Sequence, residues 1–158
     1  MQDFSTEGHL NFYDKDIVIC RILKNSLLIF AMFIASPAEA LQVITHKTVD
    51  ITSVNVTQLR RIYSMRQLIW ENNMPIVVFV LPSKHPVHQK FSKEMLNIFP
   101  YKLDRIWNKL TFSGLGVAPK MVKTQAELLQ AVSSTPGAIG YVEKVDKDEH
   151  VNVVEISM

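Results

Sequence analysis

Thr135-Pro136-Gly137-Ala138-Ile139-Gly140-Tyr141-Val142-Glu143 is the stretch from which the fold can be read. A Pro-Gly break feeding a short apolar run marks a turn forced into a strand. Gly137 and Gly140 allow backbone conformations that a side chain would penalise, and they let backbone approach backbone or ligand closely. Just upstream, Thr124-Gln125-Ala126-Glu127 matches a capping box, and Leu128, Leu129 and Val132 supply the buried side of the helix that follows. Downstream, a charged turn from Asp146 to His150 leads into a last strand over Val151 to Ile156.

Further out, Leu41-Gln42-Val43-Ile44 with Thr45 and Thr48 reads as a first, β-branched strand, followed by a polar connection through Asp50 and Asn55. Val56, Leu59, Ile62 and Tyr63 then share one helical face, with Asn55 placed to cap it. Asn72-Asn73 turns the chain into Pro75. The run Ile76-Val77-Val78-Phe79-Val80-Leu81 is continuously apolar, as expected of a strand covered on both faces. A helix is expected from Pro86, with Val87, Phe91, Met95 and Ile98 recurring at three to four residues. Beyond Pro100, Leu103, Ile106, Trp107 and Leu110 mark another. Thr111 to Gly116 is too glycine-rich for regular structure, and Met121-Val122 is a short extended piece. The order strand, helix, strand, three helices, strand, strand argues for one α/β sandwich with helices on both faces.

The first forty residues of the 158 fall outside this pattern. Arg21 and Lys24 precede an apolar run from Ser26 to Ala35, and Ser36-Pro37-Ala38-Glu39-Ala40 supplies small residues at a cleavage position. The run is near ten residues, whereas a spanning helix needs about 20. The expectation is therefore an N-terminal extension plus secretory leader over 1–40, cleaved near Ala40, and one domain over 41–158; an uncleaved anchor is the alternative. Acidic residues among Met1 to Asp16 are unusual ahead of such a leader and place its effective start downstream, near Val18 or Ile19. Cys20 is the single cysteine and precedes the apolar run, so it is no lipid anchor and the later chain can form no disulfide. After Ala40 there are fourteen Lys and Arg against ten Asp and Glu, about +4 compared with +2 for the whole chain. That balance suits an anionic solute; the basic residues are scattered and form no nucleic-acid-binding run.

Several segments resemble, in order, the substrate-binding proteins of phosphate ABC transporters: Val56 to Tyr63 followed by Trp70, then Pro75 to Val78, then Thr135 to Glu143. The chain is also similar to short single-lobe relatives, which share Trp107, Phe112-Ser113-Gly114, Pro119 and the Pro-Gly-Ala-Ile-Gly-Tyr-Val string. The likeness covers about Leu41 to Glu143. It implies a three-layer α/β sandwich with a mixed, mainly parallel sheet, like one lobe of a type II periplasmic binding protein. It further implies a periplasmic, non-enzymatic domain for a small oxyanion such as phosphate, associated with ABC-type uptake and needing no cofactor. Two departures stand out. There are residues for one lobe only, so a second would come from another chain, a transporter subunit or a second copy in a homodimer. Where phosphate binders place an arginine and Ser-Gly-Thr, this chain has Ser83-Lys84-His85-Pro86-Val87-His88.

Free N–H groups and the dipole at a helix start attract anions, so Ser83, Lys84, His85 and His88 are the candidate ligand-binding residues, with Thr45 and Ser113 as further donors. A solvated polar helix start is the plainer alternative. His85 and His88, three apart, could also pair on a metal, but no third ligand is fixed by the sequence and no metal is expected. Tyr63, Trp70 and Trp107 read as core before pocket wall. No Ser-His-Asp, Cys-His or paired-carboxylate arrangement stands out, which argues against nucleophilic catalysis. The alternative to solute binding is an accessory or protein-interaction module that kept the lobe and lost the solute.

Overall fold

Two side-chain caps set the helix starts that the sequence announces. Asn55 Oδ1 accepts from the Gln58 N–H at 2.7 Å and opens α1 (Val56–Tyr63), while Thr124 Oγ1 accepts from Glu127 N at 3.1 Å and opens α4 (Gln125–Ser134). The Glu127 carboxylate closes the second cap one residue early, on Lys123 N at 2.8 Å. Between them lie α2 (Pro86–Lys90), a π-helical stretch Phe91–Met95 that continues it, and α3 (Pro100–Phe112). Thr111 and Phe112 extend α3 into the segment expected to be loop, because the glycine that stops the helix, Gly114 at φ +68°, comes two residues later.

In this computed structural model residues 40–114, 116–145 and 150–157 are described, and they fall within one compact unit, Glu39–Met158. The proposed leader, its start, Cys20, and residues 146–149 of the charged turn lie outside the described residues. No helix among the described residues is long and apolar enough to cross a membrane.

Six strands form one mixed sheet: β1 (Gln42–His46), β2 (Ser53–Asn55), β3 (Val77–Val80), β4 (Lys120–Met121), β5 (Ala138–Val142) and β6 (Val151–Ser157), in the order β2-β6-β1-β5-β3-β4. The pairs β2/β6, β3/β4 and β3/β5 are parallel; β1 runs antiparallel to β5 and to β6. β2 was hidden in the polar connection, because its three residues bury only Val54 and find their partner a hundred residues away in β6.

β5 sits inside the sheet, and all five of its residues are buried. A side chain at Gly140 would bring its Cβ to 2.5 Å from Leu128 Cδ2 and 2.9 Å from Val132 Cγ2, so α4 lies directly against this strand. Successive side chains alternate in face, and Tyr141 on the opposite face meets Tyr63 of α1, His88 of α2 and Phe91. Helices therefore cover both faces, giving the three-layer sandwich. Gly137 carries the turn into β5 at φ +76°, and a Cβ there would lie 2.3 Å from the Pro75 carbonyl oxygen. Trp70 Nε1 donates to the Gly137 carbonyl at 2.9 Å and Trp107 Nε1 to the Tyr63 carbonyl at 2.8 Å. Both tryptophans are core residues whose one polar atom is satisfied.

Candidate functional site

β3 and β5 are parallel neighbours, so their C-terminal ends lie at one edge of the sheet, and β3 delivers Leu81 and the turn 82–88 there. Ligands in open α/β sheets bind beyond such strand ends. The turn is folded on itself: His85 N donates to the Pro82 carbonyl at 2.8 Å, Val87 N to His85 Nδ1 at 3.2 Å, and Gln89 N to the His85 carbonyl at 3.0 Å. His85 is thus the N-cap of α2, an imidazole standing where Ser or Asp is usual. Lys84 is exposed beside it.

The turn is tied to the sheet by a relay. Leu81 N donates to the Tyr141 hydroxyl at 3.0 Å, and that hydroxyl is in contact with His88 Nδ1. An amide can only donate, so the phenol accepts from Leu81, and its remaining hydrogen-bonding capacity meets Nδ1. Burial pushes the His88 pKa down from 6.5 to about 4; Asp104 pulls the other way and His85 adds to the fall. Burial likewise raises the Tyr141 hydroxyl, opposed by the Leu81 N–H, and raises that of Tyr63. Tyr63, His88 and Tyr141 are therefore all uncharged at neutral pH.

The six candidates do not form one cluster. Ser83 Oγ donates to Asp104 Oδ1 of α3 at 2.6 Å, so its proton is committed to a carboxylate. His88 is fully buried and serves the relay, with Nε2 unpartnered and no solvent-facing donor. Thr45 is also fully buried and pairs with Ile139, which puts it level with Val78. It therefore lies two strands from β3 and three residues short of Leu81, about 10 Å along the strand. Ser113 sits after the last turn of α3 and donates to the Leu110 carbonyl at 3.1 Å. Only Ser83, Lys84 and His85 share the exposed part of the turn. His85 and His88 each have Nδ1 engaged by a different partner, and no group of three or more His, Cys, Asp or Glu that could hold a metal occurs among the described residues. Tyr141 and Asp104 were not anticipated as site residues. Tyr141 lies in the diagnostic strand itself; nothing in the spacing of α3 marks Asp104.

Two hollows lie elsewhere. An open, polar one of about 580 Å³ runs beside α1 past Asn55, Arg61 and Glu71, and an apolar one of about 310 Å³ lies between Leu68, Ile76 and the segment 116–120. Neither is lined by the turn 82–88.

This mixed sheet, covered by helices on both sides, has the fold of part of several solved substrate-binding proteins. Among solved structures the chain is similar to one with bound phosphate from Clostridium perfringens, assigned as a phosphate ABC transporter substrate-binding protein (TM-score 0.58, 20% identity, 74% of this chain and 44% of that one). It is similar also to an ABC-type phosphate transport receptor from Vibrio cholerae (0.57, 15%, 74% and 46%) and to PstS from Borrelia burgdorferi (0.57, 20%, 74% and 47%). The chain spans less than half the length of these proteins. No family model and no curated protein matches it.

Proposed function

We propose that the chain is an exported, non-enzymatic solute-binding module, resident in the periplasm once its leader is removed near Ala40, that takes a small oxyanion such as phosphate at the turn after β3. The observation that carries the reading is the relay Leu81–Tyr141–His88, which fixes a lysine-bearing turn at the shared end of two parallel strands. The folds and reported ligand of the solved neighbours support the choice of anion. Lys84 supplies the charge, the backbone of Ser83 and Lys84 the amides, and Thr45 and Ser113 take no part. Because one lobe covers only one side of the anion, affinity is low, in the millimolar range or about −4 kcal/mol. A second lobe, contributed by a transporter subunit or another copy, would raise it.

A second reading is favoured by one specific contact. The Ser83 hydroxyl is spent on Asp104, whose carboxylate repels an incoming anion, as expected of an accessory module that no longer holds a solute. Calorimetric titration with phosphate and with sulfate separates the two. Solute binding predicts heat that weakens in Lys84→Gln and strengthens in Asp104→Asn, which removes the negative charge. Silence of both the native chain and Asp104→Asn well above millimolar anion leaves the accessory reading.

A further inference from the structure

The exposed face of α3 carries a charge pattern that solute binding does not use. Lys102, Arg105 and Lys109 are all exposed, and at 3.6 residues per turn they fall within about 60° of one another, a stripe about 10 Å long. Asp104, the one acid of this helix, projects from the other side and is held by Ser83. Large apolar rings bracket the cations. Phe99 and Tyr101 are 53% and 56% exposed at the start of the helix, their rings 5.9 Å apart with Lys102 Nζ 5.9 Å over Phe99; Phe112 is 90% exposed at its end.

A phenylalanine that open to water, at the end of a helix whose inner face is already packed through Leu103 and Trp107, contributes nothing to the core. Cations with no carboxylate paired to them among the described residues fit a dense anionic surface, and aromatic rings among them fit the boundary between headgroups and acyl chains. An acidic protein patch would satisfy the cations but gives no reason for three exposed rings at both ends of the stripe. We propose that α3 is a membrane-docking face that lies flat on a bilayer rich in anionic phospholipid, with Lys102, Arg105 and Lys109 on the phosphates and Phe99, Tyr101 and Phe112 in the interface. The cations give reach and salt sensitivity; the rings give residence.

The test is sedimentation of the chain from residue 40 onward with vesicles. That piece holds every buried residue of the described core, from Val43 to Val154, and it lacks the apolar leader segment that would bind any lipid. Vesicles of phosphatidylglycerol should bind it at low ionic strength and those of phosphatidylcholine should not, with loss on adding salt. The triple variant K102E/R105E/K109E should bind at least about 100-fold more weakly, since each cation near such a surface contributes about fivefold and each introduced carboxylate is repelled. Phe112→Ser should weaken binding several-fold and leave the salt dependence unchanged. Circular dichroism checks that each variant is folded, and K102Q/R105Q/K109Q replaces the charge reversal if that variant is not. Equal binding to both lipids, undiminished binding of the triple variant, or no binding to phosphatidylglycerol at low salt overturns the proposal; the last result would turn the face toward an acidic protein.

Discussion

The two faces of β5 are built from one strand and behave as two materials. On the side of Ala138, Gly140 and Val142 the contact is aliphatic and close, with the backbone at Gly140 drawn against Leu128 and Val132 until no side chain fits. On the side of Ile139 and Tyr141 the layer is aromatic and polar: Phe91 stacks on Tyr141 at 3.9 Å, and Tyr63 meets Phe91 edge-on at 4.7 Å. Three buried polar atoms there, Thr45 Oγ1, Tyr63 OH and His88 Nε2, have no hydrogen-bond partner among the described residues. An unpaired buried polar atom costs about 1–3 kcal/mol. The aliphatic face therefore holds the fold, while the polar face spends some of that stability on fixing the turn 82–88. If the comparison is right, the two faces answer differently to substitution and to acid.

The largest effect belongs to the aliphatic face. Gly140→Val inserts a branched side chain where even a Cβ overlaps Leu128 and Val132, and should cost about 3 kcal/mol or more in urea unfolding. A loss under 1 kcal/mol would mean that α4 is not seated on the strand. Next comes Tyr141→Phe, which keeps the ring stack and removes one oxygen. Leu81 N–H and His88 Nδ1 both lose their partner, so a loss of about 2 kcal/mol is expected, together with faster amide exchange at Leu81. Unchanged exchange there would break the relay.

Acid should reach the polar face alone. His88 has a folded pKa of about 4 against 6.5 unfolded. Between those values the unfolded chain binds the proton that the folded one refuses, so stability falls as pH drops from 6.5 towards 4. Its contribution is flat above about pH 7 and takes no further toll below 4. At pH 5.5 the loss is about 1.4 kcal/mol. His88→Asn keeps an acceptor near the position of Nδ1 and cannot titrate, so its stability profile should lack this component. Identical acid profiles for the two proteins would show that His88 is not held neutral by the fold.

How much of this was open to reading from the residues depends on whether the signal was local. Asn55, Thr124, Pro86, Pro100, Gly137 and Gly140 act over a few residues, and each stands where its chemistry placed it. β2 escaped because a three-residue strand has no period of its own and exists only through β6. The turn after β3 stands at a strand end, as expected, but His88, a candidate ligand-binding residue on the sequence, is buried. Val87, Phe91 and Met95 did carry the corrective signal. His88 lies three residues before Phe91 and beside Val87, on the edge of the buried stripe, where a histidine is more naturally a core hydrogen-bonding group than a ligand. Its partner Tyr141 lies fifty-three residues on, and no local pattern joins the two. The distance of Thr45 from the turn is not locally legible for a similar reason: alternation along β1 gives its face, but only the register with β5 gives its height on the sheet.

Thr45 also supplies the smallest and most discriminating test of the comparison. Threonine and valine have nearly the same shape, so Thr45→Val leaves the packing of β1 against β5 intact and deletes only a hydroxyl that is buried without a partner. Removing such a group ends its desolvation penalty at no cost in contacts. The variant should therefore be as stable as the native chain, or up to about 1 kcal/mol more stable. Loss of more than 1 kcal/mol would mean that Oγ1 is bonded in solution, most simply to an internal water shared with the other polar atoms of this face. In that case the polar layer is a satisfied network and no longer a strained one. The same substitution on the aliphatic face has no counterpart, because no polar side chain among the described residues is fully buried there to delete; that asymmetry is why His88, and not the α4 side of the sheet, should set the acid limit of the fold.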